Sequence, residues 1–256
     1  MTDIKDKIAL ITGGTSGIGK ATAIALAKNG CNIIITGRRE DRLNELKNML
    51  EKEYKVKCLS LNFDIRIQGE VEKAIAELNT FWEKIDILVN NAGLASGFSK
   101  LHEGDINDWE KMIDTNIKGL LYITRAVVPG MVSRGSGDIV NIGSIAGHEA
   151  YPGGNVYCAT KHAVTALTKG LRLDLFDTPI RVSTVDPGLV ETEFSIVRFS
   201  GDKDRADKVY QGLQPLTAAD IADAVVYCAT RPAHVNINEM ILTPLAQASS
   251  TQVVRK

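Results

Sequence analysis

Short runs rich in Ile, Val and Thr alternate with longer stretches of helical character. The pair occurs six times before a last short run near the C-terminus. Nothing else in the sequence constrains the fold as strongly. Continuous apolar runs mark strands buried on both faces, and repeated β-α-β units of such strands make a parallel sheet covered on both sides by helices. Strand runs are read at Lys7–Thr12, Asn32–Thr36, Val56–Asn62, Ile85–Asn91, Gly137–Ser144, Ile180–Gly188 and Asn238–Pro244. Helices are read at Ile18–Asn29, Glu40–Glu53, Gln68–Trp82, Trp109–Val132, Asn155–Phe176 and Thr217–Thr230. Leu43, Leu46, Met49 and Leu50 share one stripe of the second helix. Gly30 is a favoured stop for the first, and Thr217 with Asp220 forms a capping pattern that opens the last.

The expected fold is therefore α/β: a doubly wound parallel sheet of Rossmann type, about seven strands, with helices on both faces. No linker, repeat or low-complexity stretch divides residues 1–256, so one domain is expected. Two segments break the rhythm, Ala95–Asp108 and Leu189–Pro215. Both follow strands and so belong at the carboxyl edge of the sheet, where such folds bind ligands. The second is long and charged, as a substrate lid at about 189–215 should be. A C-terminal tail follows at about 244–256.

A net charge of −1 gives no general attraction to nucleic acid or to an anionic membrane. No apolar run approaches the ~20 residues that span a bilayer, and the first residues lack a signal-peptide layout; a cytoplasmic protein is expected. Cys31, Cys58, Cys158 and Cys228 are isolated and read as free thiols. Cys158, beside Tyr157, reads as a packed small side chain rather than a nucleophile. His102, His148, His162 and His234 are scattered without ligand spacing, so no metal is expected.

Two local patterns carry chemistry. "TGGTSGIG" at Thr12–Gly19 joins the first strand to the first helix. Gly13, Gly17 and Gly19 lack a Cβ, which lets the backbone turn tightly around Thr15, Ser16 and Ile18 and approach a pyrophosphate. The free N–H groups of the helix start can receive that anion; a tight turn without ligand is the other reading. At the end of the second strand, where NAD sites usually carry an acid, stand Thr36, Gly37, Arg38 and Arg39. No carboxylate repels a 2′-phosphate there and two guanidinium groups can clamp it, which points to NADP. The alternative is a pair of solvated arginines at a helix start, where cations are mildly unfavourable. The second pattern is "NVYCATKHA": Tyr157 and Lys161 stand four apart, on one face of a helix. An ammonium beside a phenol favours the phenolate, which suits proton exchange near neutral pH. Alone, such a pair also arises by chance.

With "TGGTSGIG", "NNAG" at Asn90–Gly93, Asn116, Ser144 thirteen positions before Tyr157, Lys161, and "PG" at Pro187–Gly188, the chain resembles the short-chain dehydrogenase/reductase superfamily over nearly its whole length. "GGNVYCATK", "DPGLVETEFSIVRFSGD" and "RPAHVNINEMILTP" are similar to the NADP-dependent 3-hydroxy acid dehydrogenases, a group that includes serine and allo-threonine dehydrogenases. The resemblance implies hydride transfer between NADP and the 3-hydroxyl, or matching carbonyl, of a small hydroxy acid such as serine, allo-threonine or 3-hydroxyisobutyrate. It implies that Tyr157 exchanges the proton, Lys161 holds the nicotinamide ribose and lowers the Tyr157 pKa, Ser144 orients the substrate oxygen, and Asn116 holds a relay water. Asp64 would accept from the adenine amino group, with Ile65 lining the ring; Asn91, Ala92 and Gly93 would flank the adenosine ribose; Pro187, Gly188 and Thr192 would border the nicotinamide. For Ser144 the plainer reading is a strand-end hydroxyl on its own backbone, and for Asp64 a helix N-cap. An acid substrate needs a cation, and Arg198, set among apolar residues in "SIVRF", is the candidate over Lys203. His148 and Tyr151 would shape the pocket. Helices around Met112–Val132 and Tyr157–Phe176 are apolar beyond the needs of one sheet face, and a homotetramer is expected, with the tail after Pro244 reaching a neighbour. Two other functions stay open: a reductase of another carbonyl substrate (sugar, acyl-thioester or steroid-like ketone), and a non-catalytic NADP-binding regulatory protein.

Overall fold

Leu10, Ile11, Ile33, Ile34, Ile35 and Leu88 have no exposed surface, as strands covered on both faces require. In the computed structural model, which describes residues 2–256, they lie on β1 (Ile8–Ile11), β2 (Asn32–Gly37) and β4 (Ile85–Asn90). With β3 (Cys58–Asn62), β5 (Gly137–Ile142), β6 (Ile180–Pro187) and β7 (Glu239–Leu242) they form one seven-stranded sheet in the order β3-β2-β1-β4-β5-β6-β7. Every pairing is parallel. The strand order reverses between β1 and β4, which opens a crevice at their carboxyl ends.

Three helices cover one face: α1 (Gly17–Lys28), α2 (Glu40–Tyr54) and α9 (Ala218–Ala229), through Leu26, Leu43, Leu46, Ile221 and Val225. The other face carries α3 (Gln68–Ala76), α5 (Leu120–Arg134) and α6 (Asn155–Asp174), through Val71, Ile123, Val127, Met131 and the partly buried Leu171. Burying a Leu or Ile side chain stabilises by about 1.5–3 kcal/mol, so these two layers hold the crevice rigid. Thr217 and Asp220 close a capping box at the start of α9.

Three elements depart from the periodicity. α3 stops at Ala76 rather than Trp82, because the Asn79 side chain accepts from the Phe81 and Trp82 N–H groups and turns the chain. The long helix after β4 is α4 (Ile106–Ile113) joined to α5 through a π-helical turn at Asp114–Gly119. The charged segment after β6 folds into α7 (Phe194–Arg198) and α8 (Lys203–Lys208), its base stitched by Glu191 N–H to Leu216 O and Leu216 N–H to Leu189 O. The tail lies across this segment of its own chain: Leu189 N–H donates to Gln247 Oε1, Lys256 N–H to Gly212 O, and Arg255 Nη1 to Gln211 O. Among the described residues no helix is long and apolar enough to cross a membrane.

Candidate active site

The β1–α1 loop is held by close backbone packing. A Cβ on Gly19 would stand 2.3 Å from Gly13 O and 2.5 Å from Asn91 Nδ2, and Gly13 has φ +67, so both positions require glycine. Asn91 ties the loop down, donating from Nδ2 to Thr12 O and Gly13 O, while the buried Thr12 hydroxyl accepts from the N–H groups of Asn91 and Ala92. No side chain caps α1 and no acid sits in its first turn. The uncapped N–H groups and the positive end of the helix dipole therefore face the loop, as a pyrophosphate needs.

The two arginines after β2 have separate surroundings. Arg39 is engaged on all sides: it donates to the Thr15 and Ser16 hydroxyls and to the Glu193 carboxylate. Arg42, which the sequence reading passed over, also holds Glu193, at 2.8 Å. Arg38 is 60% exposed and makes only a 3.7 Å contact with Asp64. The expected two-arginine clamp is thus one accessible guanidinium, Arg38, beside one that braces the glycine loop. Asp64 does not cap α3, whose N-cap is Ile67. Arg66 grips both its carboxylate oxygens and holds its pKa below the usual carboxylate range. Ile65 is buried at the cleft wall.

At the other end of the cleft Tyr157 and Lys161 leave the same face of α6, with Lys161 Nζ 6.0 Å from the Tyr157 ring centre. Both are buried. Burial pushes the Tyr157 phenol well above its ordinary pKa, and neighbouring Tyr151 adds to this; the Ser144 hydroxyl and the Arg198 guanidinium offset it only partly. The cation that works against this rise is Arg198, whereas the sequence pointed to Lys161. Burial also lowers Lys161, to about 8. Its ammonium donates to Ile142 O at 2.9 Å.

Ser144 accepts from Ala146 N–H and donates to Pro187 O, so its hydroxyl satisfies local backbone while bordering Tyr157. Asn116 sits in the π-helical turn, where the regular helix ladder loosens. Its side chain accepts from Leu94 N–H and donates to Leu94 O and Thr160 Oγ1. That amide clamps the loop after β4 to α6, and its Oδ1, with a single donor, keeps one lone pair. Gly93 lies between Asn116 and Lys161: a Cβ there would be 3.3 Å from Asn116 Oδ1 and 3.7 Å from Lys161 Nζ. Gly188 N–H is fixed to Leu242 O, and Thr192 stands against Gly17.

One cleft of about 690 Å³ runs from Arg38 to Tyr157. Of the residues expected to bind cofactor or substrate or to shape the pocket, all line it except Gly19, Asn116 and His148, and His148 is turned to Asp186 instead. Arg198 reaches into its inner end. The guanidinium lies 4.8 Å from the Phe98 ring, 5.4 Å from Tyr151 and 5.8 Å from Tyr157. Nη1 donates to Tyr151 Oη at 3.0 Å, whereas Nε and Nη2 are buried without a partner. An arginine is always charged, and buried unpaired donors are costly. Phe98, Glu193 and the tail residues Gln247 and Val253 also line the cleft; only folding brings them there, and no local pattern marks them.

The donor atoms of His148, Asp186 and Glu239 gather within 4.8 Å of one another, a cluster that sequence spacing does not reveal. Asp186 is already paired with His148 at 2.9 Å and Glu239 with Lys169 at 3.3 Å, so the trio is an ion-pair network. Cys158 is buried and its thiol pKa is raised by desolvation, which leaves it unreactive.

A parallel sheet, a glycine cradle and a Tyr–Lys pair across one cleft agree with what comparison finds. Residues 7–202 match the short chain dehydrogenase family model. The NADP-dependent 3-hydroxy acid dehydrogenase YdfG of Salmonella typhi is 49% identical over 242 residues, 94% of this chain and 96% of that protein. The NADP-dependent 3-hydroxy acid dehydrogenase of Schizosaccharomyces pombe is 44% identical over 257 residues, covering 100% of this chain and 99% of that one. Among solved structures, the closed form of serine dehydrogenase complexed with NADP+ superposes with a TM-score of 0.91 at 46% identity, over 97% of this chain and 99% of that one. This chain belongs to the short chain dehydrogenase family. It is an oxidoreductase acting on CH–OH groups.

Proposed function

We propose that the protein is an NADP-dependent dehydrogenase for small 3-hydroxy acids, interconverting the 3-hydroxyl and the matching carbonyl. The observation that carries the substrate class is Arg198: a cation with two buried nitrogens, Nε and Nη2, that have no acceptor, within 6 Å of the Tyr157 ring. A substrate carboxylate supplies the missing acceptors, and charge-assisted pairs of this kind are the strong ones. The names of the relatives and the accessible Arg38 support NADP.

Bound NADP accepts the hydride in oxidation and, as NADPH, donates it in reduction. The chain's own residues do the rest. Arg38 pairs with the 2′-phosphate, and the Gly13–Gly19 loop with the α1 N–H groups receives the pyrophosphate. Asp64, Ile65, Asn91, Ala92 and Gly93 border the adenosine; Pro187, Gly188 and Thr192 border the nicotinamide. Lys161 binds the nicotinamide ribose. Arg198 and Ser144 hold the substrate so that its carbinol carbon faces the nicotinamide. Tyr157 Oη takes the hydroxyl proton in oxidation and returns it in reduction. Its raised pKa makes it a ready donor; the phenolate needed for oxidation depends on positive charge nearby, from Lys161 and from oxidised nicotinamide. Asn116 ties α6 to the loop after β4 and offers the remaining lone pair of its Oδ1 to a relay water. Residues 189–215 act as the lid of a single catalytic domain. The exposed Leu121, Val132, Leu173 and Phe176 suit a homotetramer built through α5 and α6, which light scattering would test.

The test is a turnover screen with NADP and NAD on serine, allo-threonine and 3-hydroxyisobutyrate, read by nicotinamide absorbance. Activity with NADP on these acids is expected. Turnover of bulky ketones alone would favour a reductase of another carbonyl, and tight NADPH binding with no turnover would favour a regulatory module.

A further inference from the structure

Asp186 carries a carboxylate oxygen that is buried without a partner. It is fully buried at the end of β6. Its Oδ2 accepts from Thr184 Oγ1 at 3.1 Å and meets His148 Nε2 at 2.9 Å. Its Oδ1 has no partner. That oxygen occupies the space a side chain on Gly143 would need: a Cβ there would fall 1.8 Å from it. The other side of the same peptide carries Lys161, whose Nζ donates to Ile142 O. Lys161 has three N–H groups and this neutral carbonyl is its one protein acceptor. A buried ammonium with spare donors and a buried carboxylate with a spare acceptor therefore meet across the Ile142–Gly143 peptide.

We propose that Asp186, held by His148, is the counter-charge that keeps Lys161 an ammonium, so that both are positioning residues for the catalytic lysine. An opposite charge nearby favours the ionised form of each partner. His148, on the loop after β5, supports the carboxylate of Asp186 through the 2.9 Å hydrogen bond between Nε2 and Oδ2. The other charged groups around the pair are Glu239 of β7, already paired with Lys169 of α6. On the Lys161 side the remaining ionisable neighbour is Tyr157, neutral at ordinary pH. Burial lowers Lys161 to about 8 and Asp186 works against that fall; burial raises Asp186, and the His148 contact works against that rise. The sign follows: Lys161 carries its charge below about 8 and loses it as pH rises through that value. Removing the Asp186 charge moves the loss to lower pH.

The idea rests on Lys161 as the group that binds the nicotinamide ribose, but its readout needs no substrate. NADPH affinity is measured by fluorescence titration across pH. In the parent protein affinity falls on the alkaline side as Lys161 deprotonates. In Asp186→Asn that fall should begin about one pH unit lower. His148→Ala should give a smaller shift in the same direction, and His148→Gln, which keeps an N–H donor, should restore the parent profile. If Asp186→Asn fails to fold, the His148 pair decides. An alkaline fall unchanged in Asp186→Asn, or in His148→Ala, overturns the proposal even if affinity drops uniformly. Failure of the hydroxy acid screen would leave this titration intact, so the two readings fail separately.

Discussion

The two ends of the cleft handle charge in opposite ways. At the adenosine end Arg38 is 60% exposed, and Arg39, Arg42 and Glu193 form pairs whose side chains are each 39% to 45% exposed. At the catalytic end Tyr157, Lys161 and Asp186 are buried, and Arg198 keeps unpartnered buried donors. Water screens the first group, so each pair contributes about 0–1 kcal/mol. The second group feels its neighbours at low dielectric, where a missing partner costs far more. Substitutions at the nucleotide end are therefore expected to cost less than those at the catalytic end.

The contrast can be broken at four places, in falling order of effect. Tyr157→Phe removes the proton carrier and should lower kcat by about 10²–10⁴-fold while NADPH binding stays near normal; stopped-flow turnover and titration check this, and near-full activity would dismiss the assigned role. Arg198→Ala should raise KM for acid substrates by about 10–100-fold, the value of a lost charge-assisted pair, and leave a carbonyl substrate without a carboxylate nearly unaffected. An unchanged KM for the acids would show that the cation serves only the lid. Arg38→Ala should cut the NADP-over-NAD ratio by about tenfold, read from kcat/KM with each cofactor; a larger loss in Arg39→Ala alone would move the phosphate contact to Arg39. Glu193→Gln should change NADPH affinity by less than about fivefold, as exposed pairs do. A large effect there would mean that the open end is less screened than its exposure implies.

Much of this was legible before folding. Local periodicity marks β1, β2, β4, β5 and β6 because a strand buried on both faces has to be apolar throughout. The edge strands β3 and β7 are only partly buried and are marked by their β-branched and apolar runs. The glycine loop and the Tyr157–Lys161 pair are legible because their chemistry depends on fixed short spacings. The end of α3 was missed since Asn79 competes with the helix through one side-chain turn that leaves the apolar pattern unbroken. The π-helical turn at Asn116 was missed because it adds a residue to a helix without altering its composition.

Charge environments were the least legible. Arg38 and Arg39 look equivalent in sequence, yet Arg38 is the more exposed, because Arg39 finds Thr15, Ser16 and Glu193 around it. In the sequence Lys161 is the evident cation for Tyr157, yet burial raises that phenol and Arg198 is the cation that offsets the rise.

By itself the sequence determined the sheet, the family, the anion-binding loop and the pairing of phenol with ammonium, all of which follow from residues close together in the chain. Only the tertiary structure decided which cations are free, how deeply the catalytic groups are desolvated, and that Asp186 and His148 stand behind Lys161. Those outcomes depend on dielectric and on contacts between residues tens of positions apart, and no local pattern encodes either.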